Sequence, residues 1–332
     1  MAKVTWGILS SSDLAVKKVI PAMQAGSDSE IVAIASRNLA TAERVAHDLQ
    51  IPRAYGSYEA LLADPDITAI YNPLPNHLHV EWTTKALEAG KHVLCEKPIA
   101  LTAPEALHLA EAAAQYPHLK VMEAFMYRFH PQWQLARETV QAGTIGDLRL
   151  INTVFSYYLV DAANIRNIPE VGGGALLDIG CYATSLARFI FDAEPQRVVS
   201  TIEYDPQMKT DRFLAGILDF GTGLSTFSCS TQLSPYQRVN IFGTKGQIEI
   251  EIPFNAPPER PCKVWVTTEA GTSEHLTPIC DQYTLQGDAF SRAILQNAPV
   301  PTPLADAVAN MQALDALVQS AHQHGWVKLG NA

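Results

Sequence analysis

The sequence predicts an α/β protein in two parts. A doubly wound parallel sheet spans residues 1–125, and an α+β domain with a large, mostly antiparallel open sheet spans residues 126–332. Three observations predict this. The first part alternates short, almost continuously apolar runs with amphipathic stretches, as parallel strands covered by helices on both faces require. Those runs stop abruptly at serines or prolines, at the ends where such sheets bind ligands. The second part is rich in β-branched and aromatic runs that alternate in polarity and are joined by glycine turns.

The elements follow in order. "VTWGILS" reads as a buried strand stopped by Ser10-Ser11-Ser12, and "DLAVKKVIPAMQAG" as a helix containing a proline. "SEIVAIASRN" is the second strand, and "LATAERVAHDLQI" repeats Ala and Leu at helical spacing. "ITAIYNPLP" is a strand ended by prolines, "HVEWTTKALEAG" a helix with a terminal glycine, and "KHVLCEKP" a strand ended by Pro98. "TAPEALHLAEAAAQYP" is a helix capped by Thr102, and "LKVMEAF" closes the first domain.

In the second part "HPQWQLARETVQAG" is helical and "LRLINTVFSYYLV" is a strand. A helix follows "GGGALLDIG". "RVVSTIEY", "RFLAGILDFGTGLSTFSCSTQL", "YQRVNIFGTKGQIEIEI" and "CKVWVTTEAG" supply the antiparallel sheet, with hairpin turns at Phe220–Gly223 and Gly243–Gly246. "QGDAFSRAILQNA" and "LADAVANMQALDALVQSAHQHG" are closing helices of the second domain.

The bulk properties narrow the function. The 332 residues are 47% hydrophobic and 17% charged, as in an ordinary globular protein with ample core. A formal charge of -10 argues against a broad nucleic-acid surface, which needs clustered Lys and Arg. Cys95, Cys181, Cys229, Cys262 and Cys280 are odd in number and form no C-x-x-C, so neither a disulfide framework nor a zinc site is expected. Reduced thiols suit a cytoplasmic protein. No signal peptide and no membrane-spanning stretch are read.

The strand ends carry the chemistry. A phosphate loop wants glycine for a tight turn and close approach of the backbone, and only Gly7 is present. Serine is small and its hydroxyl can donate to phosphate, but positive φ strains it. Ser36-Arg37-Asn38 follows the second strand, where a carboxylate would hold the ribose 2′-hydroxyl of NAD. Arg37 suits a 2′-phosphate instead, which favours NADP with NAD as the alternative. His77 and His79 lack a third ligand, so no metal site is expected. Asp178 and Tyr182 are four apart and share a face if their segment is helical. Arg128 and Arg166 read as pins of the interdomain connection rather than substrate ligands.

Over nearly its whole length the chain resembles the Gfo/Idh/MocA oxidoreductase family. The resemblance rests on the N-terminal strand-loop-helix, on "LLADPDITAIYNPLPNHLHVEWTTKALEAGKHVLCEKPIA" with its P-N-x-x-H and E-K-P segments, and on "GGGALLDIGCY". "EAFMYRFHP" and "NIRNIPEVGGGALLDIGCY" are most similar to the branch holding glucose-fructose oxidoreductase, NADP-dependent xylose dehydrogenase and dimeric dihydrodiol dehydrogenase. The family loop is usually G-x-x-G-x-G, and Ser10 and Ser12 stand where glycines are common.

The resemblance implies a Rossmann domain that binds its dinucleotide through Gly7, Leu9, Ser10, Ser11, Ser12, Ser36, Arg37, Pro73, Leu74, Asn76, His79, Glu96 and Lys97. It also implies that Lys97, Asp178 and Tyr182 act beside the nicotinamide. Tyr182 would carry the hydroxyl proton, Lys97 would favour its phenolate, and Asp178 would orient an aldose or related cyclic polyol. Trans-dihydrodiol dehydrogenase activity and a non-catalytic dinucleotide sensor are the alternatives. The resemblance further implies a homodimer or homotetramer formed through the C-terminal sheet.

Overall fold

The structure is a computed structural model that describes residues 2–330. The chain opens with β1 (Val4–Leu9), and a π-helical turn (Ala15–Val19) leads into α1 (Ile20–Gln24). There follow β2 (Ser29–Ala35), α2 (Leu39–Asp48), β3 (Arg53–Tyr55), α3 (Tyr58–Leu62), β4 (Ala69–Asn72), α4 (His79–Glu88), β5 (His92–Cys95), α5 (Ala103–Ala114) and β6 (Val121–Glu123). All neighbours in this six-stranded sheet are parallel, in the order β3-β2-β1-β4-β5-β6. The order reverses between β1 and β4, so their carboxyl ends open the crevice where such sheets take ligands.

The sequence does not reveal β3 and α3. The three residues of β3 are all half-exposed, and the five of α3 are too few to show a period.

Next come α6 (Pro131–Gln141), β7 (Leu148–Tyr158), a second π-helical turn (Leu176–Gly180) and α7 (Cys181–Phe191). The sheet strands are β8 (Arg197–Tyr204), β9 (Asp211–Asp219), β10 (Leu224–Ser230), β11 (Gln232–Gly243), β12 (Gly246–Ile250), β13 (Lys263–Thr268) and β14 (Gly271–Leu276). The chain ends with α8 (Gln282–Leu295), α9 (Leu304–Gln323) and β15 (Val327–Lys328). The sheet has nine strands in the order β14-β13-β12-β11-β7-β10-β9-β8-β15. Its pairs are antiparallel except β7 with β10, which are parallel. Burial alternates along β9 and β10, as expected of a sheet with one face packed.

The chain forms two compact units. The first runs to Met126 and takes in Asp281–Val308; the second is Tyr127–Cys280 with the chain from Ala309 onward. The sequence places 281–308 in the second domain, and the structure returns them to the first. Polar bonds explain why. The Asp288 carboxylate accepts from the Ser27 amide (3.0 Å), the Ser27 hydroxyl (3.1 Å) and the Asp28 amide (3.0 Å). Ser291 accepts from Trp6 Nε1 at 3.2 Å and bonds the Ser29 hydroxyl at 3.0 Å, while Phe290 packs on Trp6 at 5.7 Å.

Pro169–Phe191 is long and apolar enough, by length and composition alone, to match a membrane span. In the second unit 78% of its apolar window is buried, as in the core helix of a folded domain.

Candidate active site

In the first unit the expected residues gather at the carboxyl ends of β1, β2, β4 and β5. Gly7 lies inside β1 and is buried. A Cβ there would stand 2.7 Å from Leu61 Cδ2 and 3.1 Å from Ile67 Cδ1, so its missing side chain serves close packing. Leu9 ends the strand, fully buried. Ser10 then turns the chain at φ 94°, in the region glycine favours, while its amide donates to Ala35 O at 2.9 Å. Its side chain hydrogen-bonds Tyr58. Ser11 is half-exposed. Ser12 Oγ accepts from the Ala15 amide at 3.3 Å, a helix cap.

After β2, Ser36 donates its amide to Tyr55 O at 3.1 Å, and Asn38 caps α2 through the Thr41 amide at 3.2 Å. Arg37 is exposed and, among the described residues, forms no ion pair. Its charge acts on the Tyr58 phenol, whose pKa is nonetheless raised because burial outweighs both Arg37 and Ser10.

After β4, Pro73 and Leu74 are buried, and Asn76 begins a 3-10 turn, Asn76–Leu78. The two nitrogens of the buried His79 ring stand 2.7 Å from Pro98 O and 2.7 Å from Leu74 O. This imidazole therefore ties the chain after β4 to the chain after β5. Burial, set against those two carbonyls, pushes its pKa down to about 4. Among the described residues no group of three or more His, Cys, Asp or Glu could hold a metal ion.

Beyond β5, buried Glu96 accepts from the Tyr71 hydroxyl at 2.7 Å. Half-buried Lys97 follows, joined to Pro98 by a cis peptide bond. The donors at these strand ends suit a dinucleotide. They comprise a loop turned at positive φ, a serine-capped helix start, and an arginine with no carboxylate following β2.

In the second unit the Asp178 carboxylate sits on the π-helical turn and Tyr182 on the first turn of α7. The Tyr157 hydroxyl donates to Asp178 Oδ2 at 2.5 Å, and Arg166 Nε donates to the same oxygen at 3.2 Å. The Asp178 carboxylate holds the Arg166 pKa above its ordinary value against burial, and the Tyr182 phenol adds to the same effect. Burial first, then Asp178, pushes the Tyr157 phenol well up. The Tyr182 ring packs among Phe254 (5.2 Å), Tyr127 (5.8 Å) and Phe155 (5.9 Å).

Tyr157 is absent from the sequence-based site. Its signal is an aromatic residue at the end of an alternating strand. Arg166, read as an interdomain pin, is instead the ion-pair partner of Asp178 within the second unit. Arg128 also bonds within that unit. Its guanidinium donates to Ser185 Oγ at 2.8 Å and Ser185 O at 3.2 Å, tying the 3-10 turn Met126–Phe129 to α7.

Comparison with known proteins agrees with this architecture. Residues 8–125 match the family model of the Gfo/Idh/MocA oxidoreductases, NAD-binding Rossmann fold, and residues 133–249 match the model of the C-terminal domain of that family. The chain is 41% identical to an uncharacterized oxidoreductase of Rhizobium meliloti, covering 98% of this chain and 99% of the other. It is 38% identical to D-xylose 1-dehydrogenase (NADP(+)) 2 of Haloferax volcanii, again over 98% and 99%. Among solved structures it is similar to KijD10, a 3-ketoreductase of Actinomadura kijaniata, in complex with NADP and TDP-benzene. The TM-score is 0.89 at 28% identity, covering 96% of this chain and 98% of the other.

Proposed function

Because the chain belongs to the Gfo/Idh/MocA oxidoreductase family, we propose that it oxidises a ring hydroxyl of an aldose, or reduces the matching carbonyl, using NADP, with Tyr182 as the proton carrier. By its family and relatives the chain is an NAD(P)-dependent oxidoreductase acting on CH–OH groups. The sugar is suggested by the xylose dehydrogenase relative. NADP is suggested by Arg37 and by the lack of a carboxylate after β2.

The nicotinamide, when bound, supplies the hydride chemistry. The protein binds, orients and moves the proton. Ser10, Ser11 and Ser12, the helix start and Arg37 would hold the phosphates. Pro73, Leu74, Asn76, His79 and Glu96 would shape the strand ends against the rest of the cofactor. Tyr182 takes the proton from the substrate hydroxyl, and returns it in the reverse direction.

A free tyrosine titrates near ~10, too high for an efficient base at neutral pH. A cation beside it favours the phenolate. The family resemblance gives that task to Lys97, and the Arg166 charge felt at Tyr182 adds to it. Asp178, oriented by Tyr157 and Arg166, accepts a hydrogen bond from the sugar. This carboxylate, fixed four residues before a phenol on one helix, is the observation that carries the reading.

The resemblance to this family supports self-association into a homodimer or homotetramer through the second unit's nine-stranded sheet.

The test is Tyr182→Phe, which keeps the ring and deletes the proton carrier. On a panel of aldoses and trans-diols followed by absorbance of reduced cofactor, turnover should fall ~10²–10⁴-fold. Near-normal turnover removes Tyr182 from the role. Tight cofactor binding with no turnover by the wild type on the whole panel supports a dinucleotide sensor instead.

A further inference from the structure

The helix that carries Asp178 and Tyr182 begins at Ala175, and the residue at its start supplies no side-chain cap. The first amides of such a helix need acceptors from elsewhere. Here they come from β9. Asp211 Oδ2 accepts from the Leu176 amide at 2.6 Å, and the same carboxylate accepts from the Ala175 amide.

The glycines before the helix make room for this. Gly174 has φ 121°, and a Cβ there would stand 1.8 Å from Asp211 Oδ1. A Cβ at Gly173 would stand 2.7 Å from Arg166 O, and the Gly174 amide donates to Arg166 O at 2.9 Å. The glycine run thus seats both the Asp211 carboxylate and the main chain of the arginine that pairs with Asp178.

We infer that Asp211 is a positioning residue for the reaction: a carboxylate from a neighbouring strand that caps this helix and thereby sets where Asp178 and Tyr182 stand. The inference rests on the roles proposed above for those two residues. The mechanism itself makes no other use of Asp211.

The groups facing Asp211 are Asp178 on the capped helix, Tyr157 on β7, Tyr204 on β8 and Cys229 on β10. Arg166 offsets the Asp178 charge. Burial raises the Asp211 carboxyl to about 7, the helix amides oppose this, and Asp178 adds to it as a like charge. Above that pH the cap is an anion facing the positive end of the helix. Below it the carboxyl is protonated and its hold on the amides weakens.

Two measurements decide the matter. The first needs no substrate: denaturant unfolding of the wild type and Asp211→Asn from pH 5 to 9. An aspartate titrates near ~3.9 in an unfolded chain. A folded value near 7 means that the native state binds more protons between these limits, so the wild type loses stability as pH rises through them. Asparagine has no such loss. The wild-type folding constant, divided by that of Asp211→Asn, should fall about tenfold per pH unit up to about pH 7 and then level off. A ratio that stays flat overturns the inference.

The second measurement is the pH profile of kcat/KM on an active substrate. The wild type should show an acid limb near pH 7 in addition to the limb set by the Tyr182 phenolate, and Asp211→Asn should lose only the limb near pH 7. Asp211→Ala, which removes the cap, should lower kcat more than it raises KM, with Asp211→Asn intermediate. A limb near pH 7 unchanged in Asp211→Asn overturns the positioning role even if the unfolding difference appears. Should Tyr182→Phe keep normal turnover, the proposed function fails, and the unfolding measurement alone decides whether Asp211 is an ionising cap.

Discussion

The Tyr157 hydroxyl and Arg166 Nε meet on a single oxygen, Asp178 Oδ2, at 2.5 and 3.2 Å. One donor comes from a sheet strand and the other from a 3-10 turn, Ile165–Asn167. Together they fix a carboxylate on a helix that neither belongs to.

Tyr157→Phe should therefore loosen Asp178 without unfolding the second unit. A hydrogen bond to a charged group contributes about 1.5–3 kcal/mol. The expected result is a KM for the sugar raised ~10-fold or more, with the Kd for NADP unchanged because the cofactor residues lie in the first unit. Steady-state kinetics and a fluorescence titration of cofactor check it; equal losses in both would remove Tyr157 from substrate orientation.

Arg37→Ala should discriminate between cofactors. A charge-assisted bond to a 2′-phosphate is lost with NADP and was never made with NAD. The Kd for NADP should rise ~10–100-fold, as about 1.5–3 kcal/mol predicts, while that for NAD moves little. Comparable weakening of both, by calorimetry, would place Arg37 outside the 2′-phosphate site.

Ser10 carries a side chain at φ 94°. Glycine adopts such a conformation freely and alanine does not. Ser10→Gly should therefore be more stable than Ser10→Ala by about 1 kcal/mol in denaturant unfolding. The two variants equally lack the hydroxyl that bonds Tyr58, so the comparison isolates the backbone. Equal stabilities would mean that the turn relaxes in solution.

Asp288→Ala should weaken the hold of α8 on the first unit. It removes the acceptor of two amides and one hydroxyl, and polar groups left unsatisfied on burial cost about 1–3 kcal/mol each. A loss of at least ~2 kcal/mol is expected, read as a lower transition in calorimetry. A change under ~0.5 kcal/mol, the range of ordinary surface substitutions, would show that water replaces these bonds.

The parallel sheet is legible because β1, β2, β4 and β5 are almost continuously apolar, as burial on both faces demands. The hairpin turns at Phe220–Gly223 and Gly243–Gly246 are legible for the same local reason, and both join antiparallel neighbours. Asn38 and Thr102 cap their helices as short polar residues at such starts do. At the strand ends, Ser10 is recognisable as a serine standing in a glycine's place, although its φ is not.

Residue order alone dictates what nearest neighbours along the chain can settle: strand or helix, buried or half-buried face, and where an apolar run must stop. Folding is needed to bring Asp211 to Leu176 and Asp288 to Ser27, and to set Tyr157 and Arg166 on Asp178. Each of these pairs joins a donor and an acceptor far apart in sequence, on elements brought together by strand pairing and helix packing. A hydrogen bond depends on that spatial approach and leaves no periodic trace in the order of residues.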